Sequence, residues 1–221
     1  VALALSAAGA RVLAAGRGAE SLAELRAVAR ARGLTLETAR ADASREAGAR
    51  SLVRRAGGPE ILVVAAGDYW EGPVPRLTAA RWEALSRSNI STALTTIQAV
   101  LPGMRRRRYG RILLFGVAGG EHPSAAPLAH AYRAAKTALL TLARGIARDV
   151  APRGITVNVI SPGIVRMGGR NRRTFGALAR RIPAGRLGSP GEIARAAVFL
   201  LAEESGYITG SNLIVSGGYL I

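Results

Sequence analysis

Short apolar runs recur along this 221-residue chain, each followed by a stretch long enough and amphipathic enough for a helix, and this alternation narrows the fold more than any other feature. Arg11 to Ala15, Leu34 to Thr38, Glu60 to Ala65, Arg111 to Phe115, Gly154 to Ile160 and Leu213 to Val215 read as strands. Runs that are apolar at successive positions, rather than alternate ones, belong to strands covered on both faces, as in parallel sheets. Between them the spacing predicts helices: the end of one over Val1 to Ala10, then Ala19 to Arg32, Ser44 to Ala56, Thr78 to Leu101, His130 to Pro152 and Pro190 to Ala202. Ile164 to Gly188 reads as basic and irregular. Strands alternating with helices of these lengths make an α/β fold, a doubly wound, Rossmann-like parallel sheet. No repeat or linker interrupts residues 1–221, so a single domain is expected.

Composition excludes several classes. Hydrophobic residues make up 49 % and charged residues 20 %, which fits one well-buried domain. No apolar run is long enough to cross a bilayer, and the N-terminus lacks a signal-peptide pattern, so the reading is a cytoplasmic protein with no membrane partner. Without cysteine there is no disulfide, thiolate metal site or cysteine nucleophile, and with His122 and His130 the only histidines, no metal site is expected. A net charge of +17 raises nucleic acid as a partner. The arginines, however, are spread over nearly every helix, with clusters only at Arg105 to Arg108 and between Arg166 and Arg186, and aromatics are 5 %. No specific nucleic-acid partner is expected.

Tyr132 and Lys136 stand four residues apart at the start of the apolar-periodic run through Ala135, Leu139, Leu142 and Ile146, so both lie on one helix face. A fixed positive charge beside a phenol lowers its pKa from about 10 and equips it for acid and base work. A packed tyrosine beside a solvated lysine satisfies the same spacing. Lys136 is, however, the only lysine among 31 basic residues, and an ammonium is a compact point charge that the planar guanidinium does not replace. Asn89 stands mid-helix, where asparagine is unfavourable unless its side chain has a task.

Taken together, these residues resemble the short-chain dehydrogenase/reductase family over the whole chain. Ala7-Ala8-Gly9-Ala10-Arg11-Val12 is similar to the end of its first helix and its second strand, and Ile61 through Ala66-Gly67 to its fourth strand and the turn after it. Thr209-Gly210 through Gly217-Gly218 and the Arg181 to Glu192 stretch resemble the carboxyl-terminal part of the 3-oxoacyl carrier-protein reductases. The resemblance implies that Tyr132 and Lys136 are the catalytic pair and that Asn89 holds a water leading to the lysine. It further implies that Asp42 lies near the adenine, Ala66 and Gly67 along the cofactor, and Pro162, Gly163 and Val165 along the nicotinamide. The match begins after the family's first strand and its Thr-Gly-x-x-x-Gly-x-Gly turn, so the sheet is expected to be truncated before its second strand, with two strands short of a neighbour. The family's substrate-orienting serine falls at Val117 or Gly119, with Ser124 and His122 nearby in the loop. Val64 and Ala65 replace two asparagines that tie strands together.

On this resemblance the function is carbonyl–alcohol interconversion by hydride transfer. Arg17 at the end of the second family strand suits a 2′-phosphate, which favours NADP over NAD. The substrate is a small-molecule carbonyl or an acyl thioester, which Arg166, Arg170, Arg172, Arg173, Arg180 and Arg181 could meet if anionic. The alternative is a non-catalytic cofactor-sensing or scaffold protein of the same fold. The family also implies a homo-oligomer, a tetramer.

Overall fold

The computed structural model describes residues 1–121, 129–166 and 172–220. His122, Ser124 and Arg170 lie outside them, as do the side chains of Arg172 and Arg173. The expected alternation is present: α1 (Ala2–Ala7), β1 (Leu13–Gly16), α2 (Ala19–Ala31), β2 (Glu37–Arg40), α3 (Glu46–Arg55), β3 (Ile61–Val64), α4 (Ala79–Ser86), α5 (Thr92–Arg107), β4 (Gly110–Phe115), α6 (His130–Val150), β5 (Ile155–Pro162), α7 (Arg172–Ala179), α8 (Pro190–Leu201) and β6 (Asn212–Val215). Every pairing is parallel, in the order β3-β4-β5-β6, with β1 and β2 as a separate pair. Thus β1 and β3 each have one strand partner among the described residues, as the sequence reading expects.

The pleat decides which helices cover which face. Ile112 and Leu114 of β4 and Val157 and Val159 of β5 point to one side, against Ala93, Ile97 and Val100 of α5 and Leu139, Ala143 and Ala147 of α6. Leu113 and Ile160, one residue out of phase, point to the other side, against Leu5 of α1 and Ile193, Ala197 and Leu200 of α8. Both faces are therefore dry, and each fully buried aliphatic side chain contributes about 1.5–3 kcal/mol relative to exposure.

Several boundaries differ from the sequence reading for physical reasons. The second predicted strand, Leu34 to Thr38, lies instead at Glu37–Arg40, because pairing with β1 (Leu13 opposite Glu37, Ala15 opposite Ala39) selects the register that buries Ala39. The strand expected to end at Ile160 runs on through Pro162, where β6 adds Ser161 opposite Ile214 and Pro162 opposite Val215. A helix, α7, occupies part of the stretch expected to be irregular.

The helix expected over Thr78 to Leu101 is interrupted and longer. Arg87–Ser91 form a π turn between α4 and α5. The regular helical period puts Trp82, Leu85, Ile90, Leu94 and Ile97 on one apolar side, but the wider turn shifts the buried face, so that Leu85, Ala93, Ile97, Val100 and Met104 are inside while Trp82 and Leu94 are exposed. α5 then continues past Pro102 to Arg107. Proline inside a helix costs roughly 3 kcal/mol, and burial of Val100 and Met104 on either side offsets that cost.

Candidate active site

The parallel strands end in a row of residues from Gly16 to Pro162, and the candidate site lies along this carboxyl edge, the usual place for ligands in open α/β sheets. A cleft of about 200 Å³ is lined by Gly16, Arg17, Asp42, Ala66, Gly67 and Ser88, with Asp68 and Arg87 completing its wall. So the structure brings Arg17, Asp42, Ala66 and Gly67 together. Pro162, Gly163 and Val165 do not line that cleft. Pro162 closes β5, its carbonyl accepting from the Ala118 N–H, and the Gly163 N–H donates to Val215. Val165 bridges to Gly188 and packs toward the α8 face of the core.

The π turn exists where Asn89 needs it. Asn89 is 1 % exposed, and its Nδ2 donates to the carbonyls of Asp68 (3.0 Å) and Leu85 (3.1 Å). Its Oδ1 is buried without a hydrogen-bond partner. Lys136, 4 % exposed, comes from the second turn of α6. Gly67 is what lets the two approach: a Cβ there would overlap Asn89 Oδ1 and stand 3.2 Å from Lys136 Nζ. An acceptor without a donor and an ammonium thus border one small space, the arrangement that a bridging water satisfies.

Tyr132 lies one turn before Lys136, whose Nζ is 5.7 Å from the phenol ring centroid. Burial pushes the Tyr132 pKa up and draws that of Lys136 down to about 8. The sequence reading expects the ammonium to lower the phenol's pKa. In the structure desolvation outweighs it, because the lysine charge stands beside the ring and is itself costly to keep buried. Tyr69 meets the Tyr132 ring at 5.0 Å and 71°, so one aromatic ring flanks the phenol, and Trp70 meets His130, at the start of the same helix, at 6.4 Å.

At the other end of the cleft, Asp42 accepts hydrogen bonds from the Ser44 hydroxyl (2.6 Å) and Ser44 N–H (3.0 Å), which hold its carboxyl below the usual range with help from the guanidinium charges of Arg45 and Arg17. Arg17 pairs with Asp68, Nη2 to Oδ1 at 3.0 Å. Neither Asp68 nor Ser88, whose hydroxyl accepts from the Asp68 N–H, was singled out from the sequence. Asp68 directly follows Gly67, and that adjacency is the signal that points to it.

The region of the expected serine is also defined. Val117 follows the end of β4, half-buried, and Gly119 has φ +72°. A Cβ on Gly119 would lie 3.0 Å from Leu220 Cβ and 3.1 Å from Arg133 Nη2. Arg133 is buried beside Tyr132 and donates to the carbonyls of Ala118 (3.2 Å) and Gly119 (2.8 Å), while Thr137 Oγ1 donates to Gly120 (3.1 Å). One face of α6 therefore pins this loop. Among the described residues no group of histidine and carboxylate side chains could hold a metal ion.

A family model described as enoyl-(acyl carrier protein) reductase matches residues 1–220. The 3-oxoacyl-[acyl-carrier-protein] reductase FabG of Vibrio cholerae is 36 % identical over 180 residues, which are 80 % of this chain and 73 % of that protein. The chain belongs to the short-chain dehydrogenase/reductase family. Its Escherichia coli FabG relative is 38 % identical over 164 residues (72 % of this chain, 66 % of the relative), and acetoacetyl-CoA reductase of Allochromatium vinosum 33 % over 172 (76 % and 69 %). Among solved structures, a blue fluorescent protein from a metagenomic library in complex with NADPH superposes with TM-score 0.88 at 30 % identity, covering 99 % of this chain and 91 % of its own. A Brucella melitensis 3-oxoacyl-[acyl-carrier protein] reductase reaches 0.91 at 24 %, covering 100 % and 85 %, a likeness of fold. This short-chain dehydrogenase/reductase is thus an oxidoreductase-type enzyme on the expected Rossmann-like scaffold.

Proposed function

We propose that this enzyme interconverts a carbonyl and an alcohol with NADP(H), its substrate a small carbonyl compound or a 3-oxoacyl thioester. The observation that carries the reading is the grouping of Asn89 Oδ1 and Lys136 Nζ about Gly67, with Tyr132 one helical turn away. The thioester is supported by the names of the Vibrio, Escherichia and Allochromatium relatives, and NADP by Arg17 and by the NADPH-bound neighbour.

The residues present fit a dinucleotide. Asn89 Oδ1 is an orphaned acceptor, and Gly67 leaves room beside it and beside Lys136 Nζ. Lys136 would hold the nicotinamide ribose, Ala66 and Gly67 would lie along the cofactor, Asp42 near the adenine, Pro162, Gly163 and Val165 beside the nicotinamide, and Arg17 at the 2′-phosphate. When bound, the nicotinamide supplies or accepts the hydride. In the reductive direction Tyr132, kept protonated by its burial, donates its proton to the developing alkoxide oxygen. Lys136 stabilises the phenolate left behind. Asn89 Oδ1 holds the water from which the proton is replaced.

NADPH consumption with acetoacetyl-CoA, for the parent chain and Tyr132→Phe, tests this reading: turnover by the parent and its loss in the variant are expected, and equal rates overturn it. A second reading is favoured by Val117 and Gly119, neither of which offers a hydroxyl to the substrate oxygen: a cofactor-sensing or scaffold protein. Nucleotide binding without turnover of any carbonyl marks that case. The exposed Trp82 and Leu94 beside the Asn89 turn, and Phe199 on α8, support a homo-oligomer, a tetramer in this reading, which light scattering checks. No helix among the described residues is long and apolar enough to cross a membrane, and a cytoplasmic location goes with the proposal.

A further inference from the structure

Arg17 Nη2 lies 3.0 Å from one oxygen of Asp68 and 3.2 Å from the other. The pair joins the residue after β1 to the second residue past Ala66, and so crosses the cleft between the two sheets. Neither partner is loosely placed. The Asp68 backbone is tied to the π turn at both ends, its N–H donating to Ser88 Oγ (3.1 Å) and its carbonyl accepting from Asn89 Nδ2 (3.0 Å). The carbonyl of Arg17 accepts from Arg40 Nε (3.1 Å), which also brings a second guanidinium to this end of the cleft. Asp42, the other carboxylate here, is occupied with Ser44 and Arg45.

A phosphate arriving at Arg17 therefore meets a guanidinium that already carries a carboxylate. Two anions on one fork repel, and the dianion has to displace Asp68 or share donors with it. We propose that Asp68 is a specificity-determining residue of this enzyme, competing with a ribose 2′-phosphate for Arg17 and so narrowing the enzyme's preference between phosphorylated and unphosphorylated dinucleotides. The proposal rests on the reading that Arg17 faces the ribose. Because Arg17 and Asp68 expose 66 % and 51 % of their side chains, the competition is modest, about threefold to fivefold.

Calorimetric titration of the full chain with adenosine 2′,5′-bisphosphate and with adenosine 5′-monophosphate tests it without relying on turnover. Asp68→Asn is expected to tighten the bisphosphate threefold to fivefold and leave the monophosphate unchanged, Arg17→Ala to weaken the bisphosphate, and the double variant to show no gain over Arg17→Ala. If Arg17→Ala weakens the bisphosphate but Asp68→Asn does not tighten it, the competition is wrong and the role of Arg17 stands. An equal gain in the Arg17→Ala background also overturns it, since the effect is then general charge. Indifference of the bisphosphate to Arg17→Ala, or its failure to bind at all, removes both.

Discussion

Lys136 and Asn89 are 4 % and 1 % exposed, whereas Arg17 and Asp68, at the other end of the site, expose 66 % and 51 % of their side chains. The buried end is set by desolvation, orphaned acceptors and sub-ångström fit, and the exposed end by charges that solvent and salt screen within about 8 Å at physiological ionic strength. The difference teaches where each kind of function can be changed. A single atom at the buried end alters the chemistry, while the exposed end can be retuned by charge at little structural cost.

The largest effect expected is at the buried end. Tyr132→Phe should lower turnover by roughly 10²- to 10⁴-fold with nucleotide affinity nearly intact, because the phenol works in the transition state. Lys136→Arg should also lose most turnover despite keeping the charge, since the planar fork does not fit beside Gly67. Steady-state rates and nucleotide titrations separate the two, and a Lys136→Arg rate equal to the parent's would break the contrast.

Next come the two positions where a serine could be restored. Val117→Ser should raise carbonyl reduction, up to about 10²-fold, if a hydroxyl donor is what the site lacks. Gly119→Ser should not, because at φ +72° its side chain would be strained and aimed at Leu220 and Arg133. Equal gains from both would show that the loop moves freely.

Lys136 also gives the buried end a pH signature. Its pKa of about 8 in the fold lies below the 10.5 of an exposed lysine, so between those values the unfolded chain holds more protons and stability rises with pH. The full swing is on the order of 3 kcal/mol. Above pH 10 the raised Tyr132 pKa acts the other way, since the fold then retains a proton that the unfolded chain loses. Urea unfolding from pH 8 to 10 should show the rise in the parent and a flatter profile in Lys136→Met.

Arg133→Met should destabilise the fold by about 1–3 kcal/mol, as the carbonyls of Ala118 and Gly119 lose their buried donor. The urea midpoint measures it. Smallest is Arg17→Asp, expected to move the affinity ratio several-fold from NADP toward NAD with stability changed by less than about 1 kcal/mol. An unchanged ratio would mean that the exposed end does not read the ribose.

What the sequence made legible follows the range of the interactions involved. β4, β5 and α6 were readable because local apolar pattern and burial agree, and Tyr132 and Lys136 because one helix carries both. The strand at Glu37–Arg40 was displaced because its position depends on β1, some two dozen residues away, and the face of α5 was misjudged because a π turn breaks the 3.6-residue period. Arg133, Asp68 and Ser88 escaped notice for the same reason. Their partners are backbone and side-chain groups of other elements, and apart from the Gly67 that precedes Asp68 nothing in the neighbouring letters marks them.

The π turn at Arg87–Ser91 has a consequence for how this chain can change in length. A helix advances about 100° per residue and returns to the same face after about seven, whereas Leu85 and Ala93, both buried, stand eight apart across the turn. The turn absorbs one extra residue, and deleting it would restore an even pitch with α5 still in phase with α4. A deletion between the turn and Ile97 would instead rotate Ile97, Val100 and Met104 off the sheet. Single-residue deletions should therefore be tolerated better within these five positions, provided Asn89 is kept, than on either side of them, and a library of such deletions scanned through residues 79–107 would locate the helix joint by the survival of its members alone.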